Sequence, residues 1–218
     1  MKKLYLIVLT VFAVSFTTPS QAEELNYGAK VGFLGSTMAF DNYTTNMMSF
    51  NYTMGAFVEY GFTDMLAAQA ELMYEGLGTN ETGHDDASSR EWNYNVKMNY
   101  VSLPIALKVK PIYWLAIEAG PKFSYCIGGS EYDGDHSDYI INTYTLTKSE
   151  YNPIDISAFL GVEANISAHV LLGVRYSYGF KNALTEDFGL FDTNVQNYWL
   201  PAQNAYNRSM IFTLGYKL

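Results

Sequence analysis

A two-residue alternation of apolar and polar side chains constrains this chain more than any other feature. From Ile154 to Glu163, the residues Ile154, Ile156, Ala158, Leu160 and Val162 fall on one parity. Asp155, Ser157, Phe159, Gly161 and Glu163 fall on the other. Successive side chains of a β-strand point to opposite faces, so such a segment has one apolar and one polar face. The pattern recurs along most of the 218 residues. Segments around Lys30, Glu59, Glu71, Lys108, Glu118, Arg175 and Thr213 repeat it, which predicts eight strands.

Period two does not say which face is inside, since a soluble lipocalin-like barrel alternates in the opposite sense. The polar parity carries many Gly and Ser residues, which suit the cramped interior of eight strands better than an outer coat. Its charges also balance. Glu59, Glu71, Glu118, Asp155 and Glu163 stand against Lys30, Lys108, Lys122, Arg175 and Lys217. Charges taken out of water must be paired, whereas a solvated face has no such requirement. The expectation is polar inside and apolar outside. Backbone groups facing lipid must all be satisfied internally, which a closed barrel achieves.

The beginning of the chain agrees with a secreted protein. Lys2 and Lys3, the apolar stretch Leu4 to Phe16 and the small-x-small site Ser20-Gln21-Ala22 read as a cleaved signal peptide over 1–22. The barrel domain would then cover 23–218. Loss of Lys2 and Lys3 takes the formal charge from −9 to −11. The single cysteine, Cys126, excludes an intramolecular disulfide and reads as a small wall residue.

Connections alternate between short and long. Residues 61–65, 110–114 and 164–168 read as tight periplasmic turns, and 38–51, 76–95, 127–152 and 180–206 as four long extracellular loops. Those four stretches hold 13 acids and 3 bases, so almost all of the net negative charge is displayed outside. That excludes nucleic acid as a partner. Tyr60, Phe62, Tyr113, Trp114 and Tyr216 gather near the short turns, and Tyr74, Tyr125, Tyr176 and Tyr178 near the long ones. Two such groups are the aromatic girdles of a membrane-spanning barrel. Pro104 and Pro121 weaken their ladders and are candidate bulge positions.

Two pairs of segments carry a family resemblance. One is Tyr100-Val-Ser-Leu-Pro-Ile-Ala-Leu-Lys-Val-Lys with Ala116-Ile-Glu-Ala-Gly-Pro-Lys-Phe-Ser-Tyr. The other is Ile156-Ser-Ala-Phe-Leu-Gly-Val-Glu with Leu171-Leu-Gly-Val-Arg-Tyr-Ser-Tyr-Gly. They resemble the PorT-like outer-membrane β-barrel family, as does the closing segment Phe212-Thr-Leu-Gly-Tyr-Lys-Leu. The final residue is Leu218, where an aromatic is common in such barrels. The resemblance implies a small eight-stranded barrel in the outer membrane of a Gram-negative bacterium. It also implies a family that includes a component linked to protein secretion.

Chemistry-bearing clusters are few. Asp133, Asp135 and Asp138, near Glu131 and Gly134, offer oxygen ligands for Ca²⁺, but their spacing departs from an EF-hand. An acidic surface loop is the plainer reading of them. His84-Asp85-Asp86 and His136-Ser137 are the candidates for a hydrolase at the barrel rim, which needs a base held within reach of a nucleophile. Inward Phe57, Phe159 and Leu171 oppose a narrow channel. Trp92 and Trp199, among Tyr and Asn, suit a recognition surface. The expected protein is a monomeric, non-enzymatic, all-β, eight-stranded antiparallel transmembrane β-barrel without a cofactor. Its loops would contact a protein or surface ligand, and its wall the outer-membrane lipid. A secretion accessory, a narrow channel and a rim hydrolase are the alternatives.

Overall fold

A computed structural model describes residues 24–40, 47–85, 90–135, 140–146, 151–185 and 204–218. The expected signal peptide lies outside these residues. Among the described residues nine strands form: β1 (Glu24–Phe40), β2 (Met47–Gly61), β3 (Leu66–Asp85), β4 (Arg90–Ile112), β5 (Leu115–Asp135), β6 (Ile140–Thr145), β7 (Ile154–Asn165), β8 (Val170–Asn182) and β9 (Ala205–Lys217). Eight of them close into a ring. The order runs β4-β3-β2-β1-β9-β8-β7-β5, and β5 pairs back onto β4. The ends of the chain meet where β1 pairs antiparallel with β9, from Gly28↔Lys217 to Phe40↔Ala205. Closure leaves no edge strand unpaired, the condition for standing in lipid. The ninth strand, β6, lies outside the ring and pairs with the far end of β5 alone, from Ser130↔Thr145 to Asp135↔Ile140.

Alternating side chains behave as a membrane wall requires. On β7, Ile154, Ile156, Leu160 and Val162 are exposed, while Asp155, Ser157, Phe159, Gly161 and Glu163 are buried. Along β4, Val101, Leu103, Ile105 and Leu107 face out and Ser102, Pro104, Ala106 and Lys108 face in. The three short connections are made by local chemistry. Thr63 Oγ1 accepts the amides of Met65 and Leu66. Ser167 Oγ accepts those of His169 and Val170. Tyr113 and Trp114 form a two-residue turn between Ile112 and Leu115.

Three of the expected long loops are instead largely strand. The ranges 38–51, 76–95 and 127–152 contain the end of β1, the start of β2, the upper halves of β3, β4 and β5, and all of β6. β3 continues for eleven residues past Tyr74, to Asp85, which at ~3.3 Å per residue is about 35 Å along the strand. The apolar-out pattern stops near the upper tyrosines, because a strand in water needs no apolar outer face. The sense then reverses on β4. There Val96, Met98 and Tyr100 are buried inward, while Asn95, Lys97 and Asn99 lie on the outside.

No bulge forms at Pro104 or Pro121. Register shifts fall at Met48/Thr53, Asn99/Tyr100, Val109/Ile112 and Tyr178/Asn182. Pro104 instead interrupts the β3–β4 ladder, which skips from Ala70↔Ile105 to Met73↔Ser102 without changing register. A missing N–H removes a bond without adding a residue.

The two halves should respond differently to one substitution. Leu160→Arg, on the apolar band, is expected to lower unfolding free energy in lipid vesicles by about 2–4 kcal/mol. Asn95→Arg, also outward but above the tyrosines, should change it by less than about 0.5 kcal/mol. Urea titration of both variants in vesicles checks this.

Candidate functional site

The lumen is the site that the sequence singled out, and side chains fill it in layers. In its periplasmic half, four carboxylates and four cations interlock. Arg175, on β8, is the hub. Its Nη1 and Nη2 donate to Glu71 at 2.5 and 2.7 Å. Its Nε and Nη2 donate to Glu118, the latter at 2.9 Å. A planar guanidinium fork matches two carboxylates in a way that an ammonium does not. Lys30 bridges Glu71 at 2.8 Å and Glu163 at 2.6 Å. Lys108 reaches Glu163 at 2.5 Å and Glu59 at 2.7 Å. Lys110 closes the set on the other oxygen of Glu59 at 2.8 Å. Gln69 donates to Glu71 and accepts from Lys108.

Aromatic rings line this ionic layer. Lys30 Nζ lies 5.1 Å from the centre of the Phe57 ring, and Arg175 Cζ 4.9 Å from that of Phe159. Gly161 makes the room, because a Cβ there would come within 2.6 Å of Arg175 Cγ. Lys108 and Glu118 are 0% and 1% exposed, so the pairs are removed from water and held by mutual neutralisation.

Above this lies a smaller polar layer. Lys122 pairs with Glu75 at 2.8 Å. Ser102 donates from its one hydroxyl, placed 2.9 Å from both Glu75 and Ser124. Asp155, buried opposite Ser124, accepts from Asn207 Nδ2 at 3.4 Å. Its other oxygen has no partner among the described residues. At the external end the lumen becomes apolar. Leu34, Met38, Leu77, Val96, Met98, Tyr100 and Cys126 pack with Leu146, Tyr151, Ala183 and Leu184. The bases of two external segments thus fold over the mouth. A bridge joins Tyr151 to Leu184, and Asn152 Nδ2 donates to the carbonyls of Asn182 and Leu184.

Of the ten lumen charges read from the sequence, seven meet in the lower layer: Lys30, Glu59, Glu71, Lys108, Glu118, Glu163 and Arg175. Lys122 and Asp155 lie in the layer above. Lys217 stands apart at the periplasmic rim, half-buried, and donates to Asn165 Oδ1 at 2.8 Å. Glu75 and Lys110 belong to the set and were missed. Each continues the inward parity of its strand, Glu75 beyond Met73 and Lys110 beyond Lys108. The external apolar layer was missed because its residues share a parity with the charges below.

Asp133 and Asp135 lie on β5, in its pairing with β6, and Asp138 lies outside the described residues. Among the described residues, no group of three or more His, Cys, Asp or Glu is placed to hold a metal ion. His84 lies on β3 and Trp92 on β4, while His136 and Trp199 fall outside the described residues. His169, at a periplasmic turn, stacks on Tyr216 and hydrogen-bonds the Lys217 carbonyl at 3.0 Å.

Residues 18–185 match the family model described as outer membrane protein beta-barrel domain. Among solved structures, the chain is similar to Neisserial surface protein A, NspA, with a TM-score of 0.52 at 8% identity, covering 90% of this chain and 100% of that one. It is also similar to Ail, the attachment invasion locus protein of Yersinia pestis, with a TM-score of 0.48 at 9% identity over 89% and 99% of the two chains. OprG from Pseudomonas aeruginosa gives 0.37 at 10% identity over 90% and 97%. No curated protein matches the sequence. At 8% identity the likeness to NspA speaks to the fold alone.

Removing the hub should be the costliest single change. Arg175→Ala leaves Glu71 and Glu118 short of a cation and is expected to cost about 3–5 kcal/mol, read by denaturant unfolding in detergent. Arg175→Met combined with Glu118→Gln restores three cations against three carboxylates. This pair should recover a substantial part of the loss. Recovery absent in the double variant would place the cost in packing rather than charge.

Proposed function

The chain belongs to the outer membrane protein beta-barrel domain family, and from that premise we propose that it is a non-catalytic surface protein whose external hairpins bind a partner. Its place is the outer membrane of a Gram-negative cell. One observation carries the reading: the roots of the external segments are tied down over a filled barrel. The Ala183 amide donates to Ala205 O at 2.8 Å. Asn182 Oδ1 accepts the amides of Leu184 and Ala205. Tyr151 and Leu184 seal the mouth from within. A rigid base lowers the ordering cost of whatever the tips bind. An acidic exterior, which carries most of the 22 Asp and Glu residues, favours a partner with basic or polar surface.

The protein works in this reading as a monomer, without cofactor or bound Ca²⁺. The layered lumen argues against ion conduction, since eight strands leave an interior that side chains fill. The rim hydrolase has only sequence neighbours behind it, His84-Asp85-Asp86 and His136-Ser137. A role as an accessory of protein secretion is the second reading. It rests on the PorT-like segments, which lie side by side on β4, β5, β7 and β8.

Two measurements test the proposal. Refolded protein in planar bilayers should give no stepwise conductance; a stable open level would sink the sealed-barrel reading. A photoreactive residue within 186–203, on intact cells, should cross-link to a macromolecule, while one at Leu160 should not. Capture at neither position would remove the recognition role.

A further inference from the structure

Arg208 is a base on the lipid-facing side of the wall. It shares the outward parity of β9 with Met210, Phe212 and Leu214, and it is half-buried. Its ladder partner on β8 is Tyr178, one of the upper girdle tyrosines. The guanidinium carbon lies 3.4 Å from the centre of the Tyr178 ring and 5.8 Å from that of Tyr206. Here the β8–β9 ladder skips from Tyr178↔Arg208 to Asn182↔Tyr206. Nη1 donates to the carbonyls of Gly179 at 2.7 Å and Asn207 at 2.9 Å.

These contacts hold the guanidinium plane on its stacked ring and use both hydrogens of Nη1. The Nε and Nη2 hydrogens form the other edge of the fork. No carboxylate among the described residues pairs with Arg208. Below it on the outward face come exposed Met210 and then Phe212, which stacks on Phe33 at 5.0 Å. The site therefore has a fixed cationic fork at headgroup depth and an apolar track beneath it.

We propose that Arg208, held by Tyr178 and Tyr206, binds the phosphate of a lipid headgroup in the external leaflet. A phosphate presents two oxygens at the spacing of adjacent guanidinium N–H groups, and the bond is charge-assisted. The apolar track selects an amphiphile over free phosphate, because Phe33, Phe212 and Met210 take the acyl chains of the same molecule. The interface strengthens the pair relative to bulk water, through its lower dielectric. Stacking on Tyr178 pre-orders the side chain, so little rotamer freedom is lost on binding.

The test uses the full barrel refolded in neutral micelles, with the compact fast-migrating band as proof of folding. The readout is the temperature at which that band converts to the unfolded form. Added bisphosphorylated lipid A should raise this temperature for the wild type. Dephosphorylated lipid A and inorganic phosphate should not. Arg208→Ala should lose the rise, and Arg208→Lys should keep a smaller part of it. Tyr178→Leu, which leaves the charge in place but frees the fork, should also reduce it. An equal rise in Arg208→Ala, or with the dephosphorylated lipid, would overturn the proposal. A rise with inorganic phosphate alone would overturn the assignment to a lipid.

Discussion

Arg175 between Glu71 and Glu118 is the contact on which the rest of the barrel depends. Its three side chains come from β8, β3 and β5, so one guanidinium ties together strands from different parts of the ring. Around it, Lys30, Lys108 and Lys110 bring in β1 and β4, and Glu59 and Glu163 bring in β2 and β7. Any one of these charges left alone in a closed interior would carry a penalty of several kcal/mol. Together they are neutral, four against four. The network is therefore satisfied only when the ring has closed in the correct register. A slip of one residue in any of these seven strands would send its charge to the lipid face.

That interior also explains how so small a barrel divides its length. Below the upper tyrosines the outside is lipid, so the outer face is apolar and the polar groups face in. Above them the outside is water, and on β4 the preference reverses. Leu34, Met38, Leu77, Val96 and Met98 point inward and make an ordinary hydrophobic core. The molecule is thus two barrels in series on the same eight strands, a membrane barrel carrying a water-soluble one. The second gives the external hairpins a firm base, and Arg208 marks the level at which one passes into the other.

Much of this was legible in the residues. The alternation on β7, the girdles and the charge parity identify the eight strands of the ring, their facing and its closure. Glu75 and Lys110 were legible too, since each continues the inward parity of its own strand, four residues past Glu71 and two past Lys108. The upper strands were not. Asn95, Lys97 and Asn99, alternating with Val96 and Met98, form a strand pattern whose sense is opposite to that of Val101 and Leu103. Read against the membrane rule, such a stretch resembles a polar loop. Its mark in the sequence is alternation of the opposite sense.

The order of side chains along the chain decides which face of each strand meets lipid, because a period of two leaves no other way to segregate apolar from charged groups. It decides as well that the interior must balance its charges. Sequence alone does not say which carboxylate meets which cation. Glu71 pairs with Arg175 across a separation of 104 residues, and the stagger of the closed ring sets that meeting. Nor does it say that Lys217 misses the network while Lys110 joins it. That depends on the height at which each strand leaves the lumen, a property of the whole barrel rather than of any one segment.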